Sequence, residues 1–184
     1  KFHVFCLPYM WLAPAPARKR GLHMKISHIQ RVPPETVDPT IKHYHWLDFQ
    51  VGLFDAYDAG ADTVILIDRN GNVTEGPGFN MFIVKNGQLG TPVTGVLDGI
   101  TRRTVMELCD EADLECILRD ISPSEVFEAD EVFVSSTAGG IIAVTMVDKR
   151  GIGNGKPGVI TNQLNASYWT KREAGWRSTR IDYD

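Results

Sequence analysis

Hydrophobic and polar residues alternate through the first part of the chain, from Lys1 to about Pro14, and this period of two predicts a β-strand. Three prolines then follow within residues 31–39, where a helix cannot continue because proline lacks the backbone N–H and restricts the residue before it. We interpret this stretch as a linker. The expected organisation is the end of one domain over residues 1–30, the linker, and a larger domain over residues 40–184.

The residues that follow the linker repeat at helical spacing. Leu47, Val51, Phe54 and Tyr57 lie three or four positions apart, so they share one face of a helix. Gly60 is the type of residue that commonly ends a helix in a left-handed conformation. We therefore expect an amphipathic helix that has these four side chains as its apolar face and ends at Gly60.

Short apolar runs bounded by turn residues predict several strands. The run at residues 63–67 predicts a buried strand, and further strands are predicted at 131–136 and 141–147. Asn-Gly pairs at residues 70–71 and 86–87 predict hairpin turns, because both residue types tolerate the positive φ that tight turns require. Antiparallel hairpins are therefore an expected part of the sheet.

Further helices are predicted between and after these strands. Ile100 begins a segment with one apolar face, and residues 159–172 predict a last helix. Ser122, Pro123 and Glu125 have the spacing of a capping box at a helix start. Helices mixed with antiparallel hairpins, without strict alternation of strand and helix, favour the α+β class.

Charge and apolar run length exclude some functions. The 184 residues carry 19 Lys and Arg against 23 Asp and Glu, and a net charge of -4 is the wrong sign for an extended nucleic-acid or anionic-membrane surface. The basic run Arg18–Arg20 is short, and we expect it to be a solvated loop tip. No apolar run approaches the roughly 20 residues that span a bilayer. We expect a soluble protein without nucleic-acid or membrane partners.

The cysteines indicate the redox compartment. Cys6, Cys109 and Cys116 are odd in number, and their spacings match no zinc or redox motif. A disulfide framework is therefore disfavoured, and a reducing compartment such as the cytoplasm is expected. Cys109 falls on the apolar face of the helix predicted after Ile100, so we expect it in the core.

Two side chains are candidates for chemistry. Lys42 lies between Ile41 and the aromatic residues Tyr44 and Trp46, so we expect it to be partly shielded from water, which favours the neutral, nucleophilic amine. Glu75 ends a short strand before a Gly-Pro-Gly turn that fixes the direction of its carboxylate. Taken singly, each residue fits an ordinary surface position better.

Two loops are candidate anion sites. Gly99 precedes the helix that begins with Ile100 and Thr101, so free backbone N–H groups, the helix dipole and a hydroxyl point toward one spot. The loop that follows the strand at 131–136 consists of small residues that let backbone amides approach a ligand. A helix start capped by Thr101 and an ordinary glycine loop remain the alternatives.

A metal site is not expected. His43 and His45 are two positions apart and would share one face of a strand, as paired metal ligands do. No third ligand is recognisable at a metal-binding spacing. Polar packing around the linker explains the two histidines better.

Four segments, in order, resemble the second domain of the fold type IV pyridoxal-phosphate aminotransferases: IKHYHW, TEGPGFNMF, GVLDGITRRTVMEL and EVFVSSTAGGIIAVT. That group contains branched-chain, D-amino-acid and (R)-selective amine transaminases. The resemblance covers residues 31 to about 165, and the order and separation of the segments agree as well. It implies an α+β cofactor-binding domain of the D-amino-acid/branched-chain aminotransferase-like fold, preceded by a remnant of the N-terminal α/β domain.

The resemblance implies roles for matching positions. Lys42 stands where the family's lysine forms a Schiff base with pyridoxal 5′-phosphate, and Glu75 where a glutamate holds the pyridine nitrogen. Leu97 matches the side chain that packs on the ring. The expected cofactor-binding residues are Lys42, Trp46, Glu75, Leu97, Gly99, Ile100, Thr101 and Thr137.

The substrate pocket is implied by further matches. Trp46 corresponds to a tryptophan near the cofactor in (R)-amine transaminases, whereas branched-chain enzymes usually place a tyrosine one position later, where this chain has Leu47. Ala138 and Gly139 correspond to the loop that shapes one side of the pocket. The implied preference therefore leans to (R)-amines.

The implied reaction is a ping-pong transfer of an amino group between an amine or amino acid and a keto acid, with Lys42 as the catalytic residue and a homodimer as the assembly. In the family, a longer N-terminal domain supplies an arginine to the phosphate. No residue here matches that arginine, so the chain is either a fragment of a longer protein or a shortened relative with impaired activity. We expect a fragment, because the opening residues KFHVFC read as the middle of a strand. Two alternatives stay open: a lyase of the aminodeoxychorismate type, and a truncated domain without catalysis of its own.

Overall fold

A computed structural model describes residues 2–182, which form one mixed β-sheet with helices packed against it. The strands are β1 (Leu22–Gln30), β2 (Thr63–Ile67), β3 (Glu75–Gly76), β4 (Phe79–Lys85), β5 (Gln88–Thr91), β6 (Cys116–Leu118), β7 (Glu131–Ser136), β8 (Gly140–Val147) and β9 (Arg150–Gly151). The helices are α1 (Ala15–Arg20), α2 (Leu47–Asp58), α3 (Ile100–Glu111), α4 (Pro123–Glu128) and α5 (Val159–Glu173). This architecture confirms the predicted α+β class.

The sheet combines antiparallel and parallel pairs. Its strands follow the order β2-β1-β8-β7-β4-β5-β6, with β3 paired to β4 and β9 to β8. The pairs from β8 through β7 and β4 to β5 are antiparallel, whereas β1 is parallel to both β2 and β8. Because β1 lies between those two strands, Leu22–Gln30 belongs to the same sheet as the strands after the linker. The division of the chain into residues 1–30 and 40–184 remains a prediction.

Both faces of the central strands are buried, which explains their continuous apolar runs. Met81 and Ile83 of β4 pack into one hydrophobic cluster with side chains of β1 and β2. Phe82, between them, points to the opposite face, where its ring stacks on Phe133 at 4.9 Å and contacts a cluster that includes Leu164 of α5. The sheet is therefore the rigid base from which the surrounding loops project.

Several local predictions are confirmed. Helices α3 and α5 lie where the apolar periodicity predicts them. In the capping box of α4, the Ser122 N–H donates to Glu125 Oε2 at 3.0 Å and the Glu125 N–H donates to Ser122 Oγ at 3.4 Å. Asn86 and Gly87, with φ of 51° and 80°, form the turn between β4 and β5. Local sequence therefore determines these features.

The strand predicted at the start of the chain is wrong. Residues 2–11 have no regular secondary structure, and Phe2 and Phe5 are 92% and 76% exposed. A strand is stabilised by pairing with a neighbour and by burying one face, and neither occurs for these residues. The expected loop tip at Arg18–Arg20 is also corrected, because these residues form the last turn of α1, where the Arg18 guanidinium lies 3.5 Å from the Trp11 ring centroid.

Helix α2 forms as predicted, but its buried face is different. The helix packs against β1 and β2 through Phe49, Gly52 and Ala56. Gly52 allows this close approach, since a Cβ there would lie 2.7 Å from Leu66 Cδ2. The four apolar residues expected to share one face are instead exposed by 42–71%: Leu47, Val51, Phe54 and Tyr57.

The cysteines are unpaired, as the sequence predicts. Cys109 is buried in the core as expected, and Cys6, Cys109 and Cys116 are free thiols. Within residues 2–182, no helix combines the length and apolar character needed to cross a membrane.

Candidate active site

One cavity of about 520 Å³ brings together nine of the ten site residues predicted from the sequence. These nine are Lys42, Trp46, Glu75, Leu97, Gly99, Ile100, Thr101, Thr137 and Ala138. The tenth, Gly139, does not line this cavity but a second one, beside Trp11 and Trp169. Gly139 packs against β8, because a Cβ there would lie 2.8 Å from Ile142 Cδ1.

The register of three neighbouring strands explains why distant residues meet. Asn80 of β4 pairs with Glu75 of β3 on one side and with Ser135 of β7 on the other. The three side chains therefore lie at the same level of the sheet, and all of them line the cavity. Strand pairing, not proximity along the chain, creates this part of the site.

The Glu75 carboxylate is held by donors on both oxygens. Its Oε1 accepts hydrogen bonds from Arg31 Nε and Nη2 at 3.3 and 3.2 Å. Its Oε2 accepts from the Leu97 N–H at 2.8 Å and from Asn80 Nδ2 at 3.5 Å. Since Asn80 Nδ2 also donates to the Leu97 carbonyl at 2.8 Å, the loop before α3 is tied to the same carboxylate.

Burial and hydrogen bonding act in opposite directions on Glu75. Burial raises the pKa of this carboxyl, because the charged form loses its water. The Leu97 N–H and the Arg31 guanidinium partly lower the pKa again by stabilising the carboxylate. A carboxyl with these opposing influences is the kind of group that occurs at functional sites.

Arg31 connects the linker to the site. It follows β1 directly, its side chain is 5% exposed, and its Nη1 donates to Asp48 Oδ2 of α2 at 2.6 Å. The guanidinium carbon lies 4.2 Å from the centroid of the Phe49 ring. One cation is therefore shared between two buried carboxylates, those of Asp48 and Glu75.

Hydroxyl groups and a helix start line another part of the cavity. The Thr101 and Thr137 hydroxyls lie 3.4 Å apart. The N-cap of α3 is Gly99, so Thr101 does not cap the helix, and its hydroxyl lies beside that of Thr137 next to the first N–H groups of α3, a helix start of the kind that binds anions. Ser136 Oγ donates to the Gly78 carbonyl at 2.8 Å and thereby holds the loop after β7.

The lysine lies on a more open wall of the cavity. Lys42 is exposed and belongs to a segment without helix or strand before α2. The expected shielding by its neighbours is wrong, because Ile41 is 62% exposed and Tyr44 extends fully into solvent. Trp46 is half-buried and meets the Phe49 ring edge to face at 5.7 Å. Of the two aromatic residues expected to shield Lys42, Trp46 lines the cavity and Tyr44 does not.

The two histidines next to Lys42 form no metal site. The His45 N–H donates to His43 Nδ1 at 3.0 Å, which is a local hydrogen bond between residues two positions apart. Within the described part of the chain, no group of three His, Cys, Asp or Glu side chains has the geometry to hold a metal ion.

The cavity fits a small phosphorylated heterocyclic aldehyde such as pyridoxal 5′-phosphate. Its volume is in the range of small-molecule sites, about 300–1,000 Å³. It offers an amine at Lys42, a carboxylate at Glu75 and hydroxyls at Thr101 and Thr137. In addition, Ser135 Oγ is buried without a hydrogen-bond partner among residues 2–182, and a buried hydroxyl of this kind suits a polar ligand.

Comparison with known proteins decides the family. Residues 1–147 match the model of the family described as amino-transferase class IV. The chain belongs to this family. The fold type IV resemblance and the fold inferred from the four sequence segments are thereby confirmed.

Relatives in the class IV family include enzymes of different substrate groups. A putative branched-chain-amino-acid aminotransferase of Methanocaldococcus jannaschii is 35% identical over 150 residues, which are 80% of this chain and 52% of that protein. The D-alanine aminotransferase of Bacillus licheniformis is 40% identical over 114 residues, 61% of this chain and 40% of that protein.

A solved class IV structure has the same fold. The branched-chain amino acid aminotransferase of Thermobaculum terrenum in its PLP-form superposes on this chain with a TM-score of 0.80 and is 32% identical to it. The superposed region is 85% of this chain and 52% of the Thermobaculum chain. The chain therefore spans about half the length of the class IV proteins it matches.

Sequence reasoning missed four polar residues that line or support the cavity: Arg31, Asp48, Asn80 and Ser135. Arg31 adjoins the proline-rich linker, where a charged residue is expected to be solvated, so its place in the sequence does not indicate a site. Asn80 and Ser135 lie within apolar strands, and a polar residue inside such a run was the available signal. Only strand pairing identifies their partners.

Proposed function

We propose that this chain is the cofactor-binding part of a pyridoxal-phosphate-dependent transaminase. The observation that carries the proposal is that one cavity is lined by an amine, a buried carboxylate and a pair of hydroxyls at a helix start. These are the three kinds of group that the aldehyde, the pyridine nitrogen and the phosphate of the cofactor require. No cluster of basic side chains is needed, which agrees with the acidic composition.

Glu75 orients the ring and sets its charge. A carboxylate beside the pyridine nitrogen favours the protonated ring, and the bound cofactor then accepts the electron pair released when a substrate C–H bond breaks. Leu97 would pack on the ring of the cofactor, and its N–H donates to the Glu75 carboxylate at 2.8 Å. Ring position and carboxylate position are thus set by the same loop.

The phosphate is held by neutral donors. The backbone N–H of Ile100 and the hydroxyls of Thr101 and Thr137 provide hydrogen bonds, and the N-terminal end of α3 adds the favourable field of its dipole. Gly99 lets the loop before α3 pack closely against β4, because even a Cβ at this position would lie 2.5 Å from Asn80 Oδ1. Phosphate binding therefore depends on backbone geometry.

Lys42 carries the reaction. Its Nζ would hold the aldehyde of the cofactor, and once an amine substrate had taken its place, the free amine would act as the base that removes a proton from the substrate carbon. With the cofactor held at Lys42, the first half-reaction would pass the donor's amino group to the cofactor, and water would supply the oxygen of the ketone or keto acid that leaves. In the second, the cofactor would return that amino group to a keto acid and water would be released, which would complete a ping-pong cycle.

The substrate preference we propose leans to (R)-amines. Trp46 and Ala138, which match the pocket of (R)-amine transaminases, line the cavity. Named relatives act on branched-chain amino acids or D-alanine, so these substrates are the direct competitors.

Borohydride trapping tests the role of Lys42. The 184-residue chain is incubated with pyridoxal 5′-phosphate, reduced with borohydride, digested and mapped by mass spectrometry. We expect a pyridoxyl group on Lys42, loss of the label in Lys42→Ala, and an unchanged label in Lys156→Ala, which removes another exposed lysine. A label elsewhere, or none at all, would end the proposal.

An assay of amino-group transfer distinguishes a transaminase from a lyase. The chain is supplied with (R)- or (S)-1-phenylethylamine, leucine or D-alanine as donor and pyruvate or 2-oxoglutarate as acceptor. We expect transfer with the fastest rate for the (R)-amine, and a faster rate for either amino acid would contradict the preference. Pyruvate release from aminodeoxychorismate without transfer would favour the lyase, and labelling of Lys42 without turnover would favour the non-catalytic domain.

The proposal includes a homodimer. Leu47, Val51, Phe54 and Tyr57 form an exposed apolar stripe on α2, close along the chain to the exposed Ile41. Contiguous apolar surface of this kind marks an association site. In sedimentation experiments we expect a dimer for the wild type, a shift to monomer for Val51→Ser combined with Phe54→Ser, and no shift for the exposed Gln50→Ser on the same helix. A monomeric wild type would refute the dimer.

A further inference from the structure

Arg31 is the buried cation of the site. Its side chain is 5% exposed, and the carboxylates that it contacts, on Asp48 and Glu75, are each 7% exposed. Burying a guanidinium is unfavourable unless its N–H groups are paired. Arg31 satisfies this condition at three nitrogens, which requires both carboxylates to be present.

The two carboxylates differ in how closely they hydrogen-bond to Arg31. Nη1 makes a short bond of 2.6 Å to Asp48 Oδ2, which also accepts the Val32 N–H at 3.0 Å. Nε and Nη2 approach the same Glu75 oxygen at 3.3 and 3.2 Å. Asp48 therefore anchors the guanidinium on α2, and the remaining edge of the guanidinium is directed at Glu75.

The charges around Glu75 come from three elements. Arg31 follows β1, Asp48 lies on α2, and the buried Arg102 lies on α3, where its own Nη2 donates to the Pro92 carbonyl at 2.7 Å. Arg31 is the cation in direct contact with the carboxylate. Without it, Glu75 and Asp48 would be two buried anions at close range, and like charges of this kind favour protonation of one of them.

We propose that Arg31 is a positioning residue that keeps the Glu75 carboxylate ionised and aimed into the cavity, and that Asp48 supports it by fixing the guanidinium. This inference rests on the proposed function, because Glu75 faces the cofactor's pyridine nitrogen there. Arg31 does not serve the phosphate. Its N–H groups are committed to carboxylates, and it adjoins Glu75 and not the Thr101–Thr137 pair.

The first test needs no cofactor. The Glu75 carboxyl is followed by ¹³C NMR as a function of pH in the 184-residue chain, and Glu75→Gln identifies its signal. Arg31→Gln should move the Glu75 midpoint upward by about one pH unit or more, because an adjacent cation lowers a carboxyl pKa by roughly 1–3 units. Arg31→Lys, which keeps the charge but not the planar fork, should give a smaller upward shift.

Asp48→Asn keeps a side-chain oxygen that can accept the bond from Arg31 Nη1 but removes a neighbouring anion, so it should move the Glu75 midpoint in the opposite direction. Opposite signs for the two variants are not expected from a loss of packing alone. If Arg31→Gln does not fold, Arg31→Lys and Asp48→Asn still decide the matter. An unchanged midpoint in folded variants would overturn the inference.

The second test uses the cofactor. With ¹⁵N-labelled pyridoxal 5′-phosphate bound, the ring nitrogen should be protonated in the wild type and in Arg31→Lys, and deprotonated in Arg31→Gln at the same pH. A ring that stays protonated in Arg31→Gln would overturn the inference and leave the transaminase proposal intact. Failure of the wild type to label Lys42 would end the transaminase proposal, whereas the carboxyl titration would still decide the role of Arg31.

Discussion

The cavity has two unlike walls. The buried wall is formed by Arg31, Glu75 and Asn80, whose side chains are almost completely enclosed and joined by hydrogen bonds. The open wall is formed by Ile41 and Lys42, which are exposed and lie on backbone without helix or strand. The residues that set the charge of the site are thus held firmly, whereas the amine proposed to react is accessible to water.

The difference follows from what each wall is attached to. Glu75 and Asn80 lie on paired strands, and Arg31 directly follows β1, so the sheet determines their positions. Lys42 is attached only through the proline-rich linker and the start of α2. Electrostatic preorganisation is therefore built into the sheet, since donors fixed by pairing need no reorganisation when a ligand binds.

The largest effect is expected from breaking the buried wall at Arg31. Arg31→Met leaves two buried carboxylates without their shared cation, which should lower the free energy of unfolding by about 3–5 kcal/mol. Urea denaturation followed by circular dichroism measures this loss. Arg69→Met is the control, because Arg69 and its partner Glu35 are more than half exposed and their removal should change little. Equal effects of the two variants would contradict a role of ion pairing in the buried wall.

The anion-binding part of the cavity should respond next. Thr101→Ala removes one hydroxyl proposed to bind phosphate, and loss of a hydrogen bond to a charged group should weaken pyridoxal 5′-phosphate binding about tenfold or more. Equilibrium dialysis measures the affinity. Thr104→Ala, one turn further along α3 and away from the cavity, should leave the affinity unchanged. A loss no greater than that of the control would refute the assignment.

The pH dependence of the free energy of unfolding tests whether burial dominates at Glu75 in the buried wall. Burial raises the pKa of Glu75 above its ordinary value of 4.5, so the folded chain holds this proton more tightly than the unfolded chain does. The contribution of Glu75 to stability is therefore present at low pH and is lost as the pH rises from that value through the folded pKa. Urea denaturation at successive pH values should show the wild type losing stability relative to Glu75→Gln over this range. The opposite slope would mean that the hydrogen bonds outweigh burial.

The smallest effect is expected on the open wall. Ile41→Ser changes a side chain that is 62% exposed, so the free energy of unfolding should change by no more than about 0.5 kcal/mol. Ile65→Val removes a single methylene from a fully buried residue and should cost about 0.5–1.5 kcal/mol. If Ile41→Ser were the more costly change, the open wall would be better packed than its exposure indicates.

Local sequence was sufficient for features that depend on neighbours along the chain. The capping box at Ser122, the Asn86-Gly87 turn and the helices α3 and α5 were predicted because hydrogen bonding and periodicity act within a few residues. The strand predicted over the first residues failed because alternation does not supply a pairing partner. The apolar stripe of α2 is not its buried face, because the face that contains Gly52, which has no side chain, allows the helix to approach the sheet more closely.

The four segments that resemble the family contain most of the residues that line the cavity. They do not contain the ion-paired residues Arg31 and Asp48. Lys42, Glu75 and Thr101 belong to segments whose order and spacing indicate a family. Arg31 and Asp48 belong to no such pattern. Their importance appears only when the end of β1 and the start of α2 are seen to meet behind Glu75.

Local sequence was enough to predict helices α2 to α5, the Asn86-Gly87 turn and the α+β class, and the resemblance to a family indicated nine of the residues that line the cavity. Long-range packing set which face of α2 is buried, that Lys42 is exposed while Glu75 is enclosed, and that Arg31 is shared by two carboxylates. The cause is the distance along the chain over which each interaction acts. Capping, turn formation and periodicity act over a few residues, whereas burial and ion pairing depend on strands and helices that are far apart in the chain.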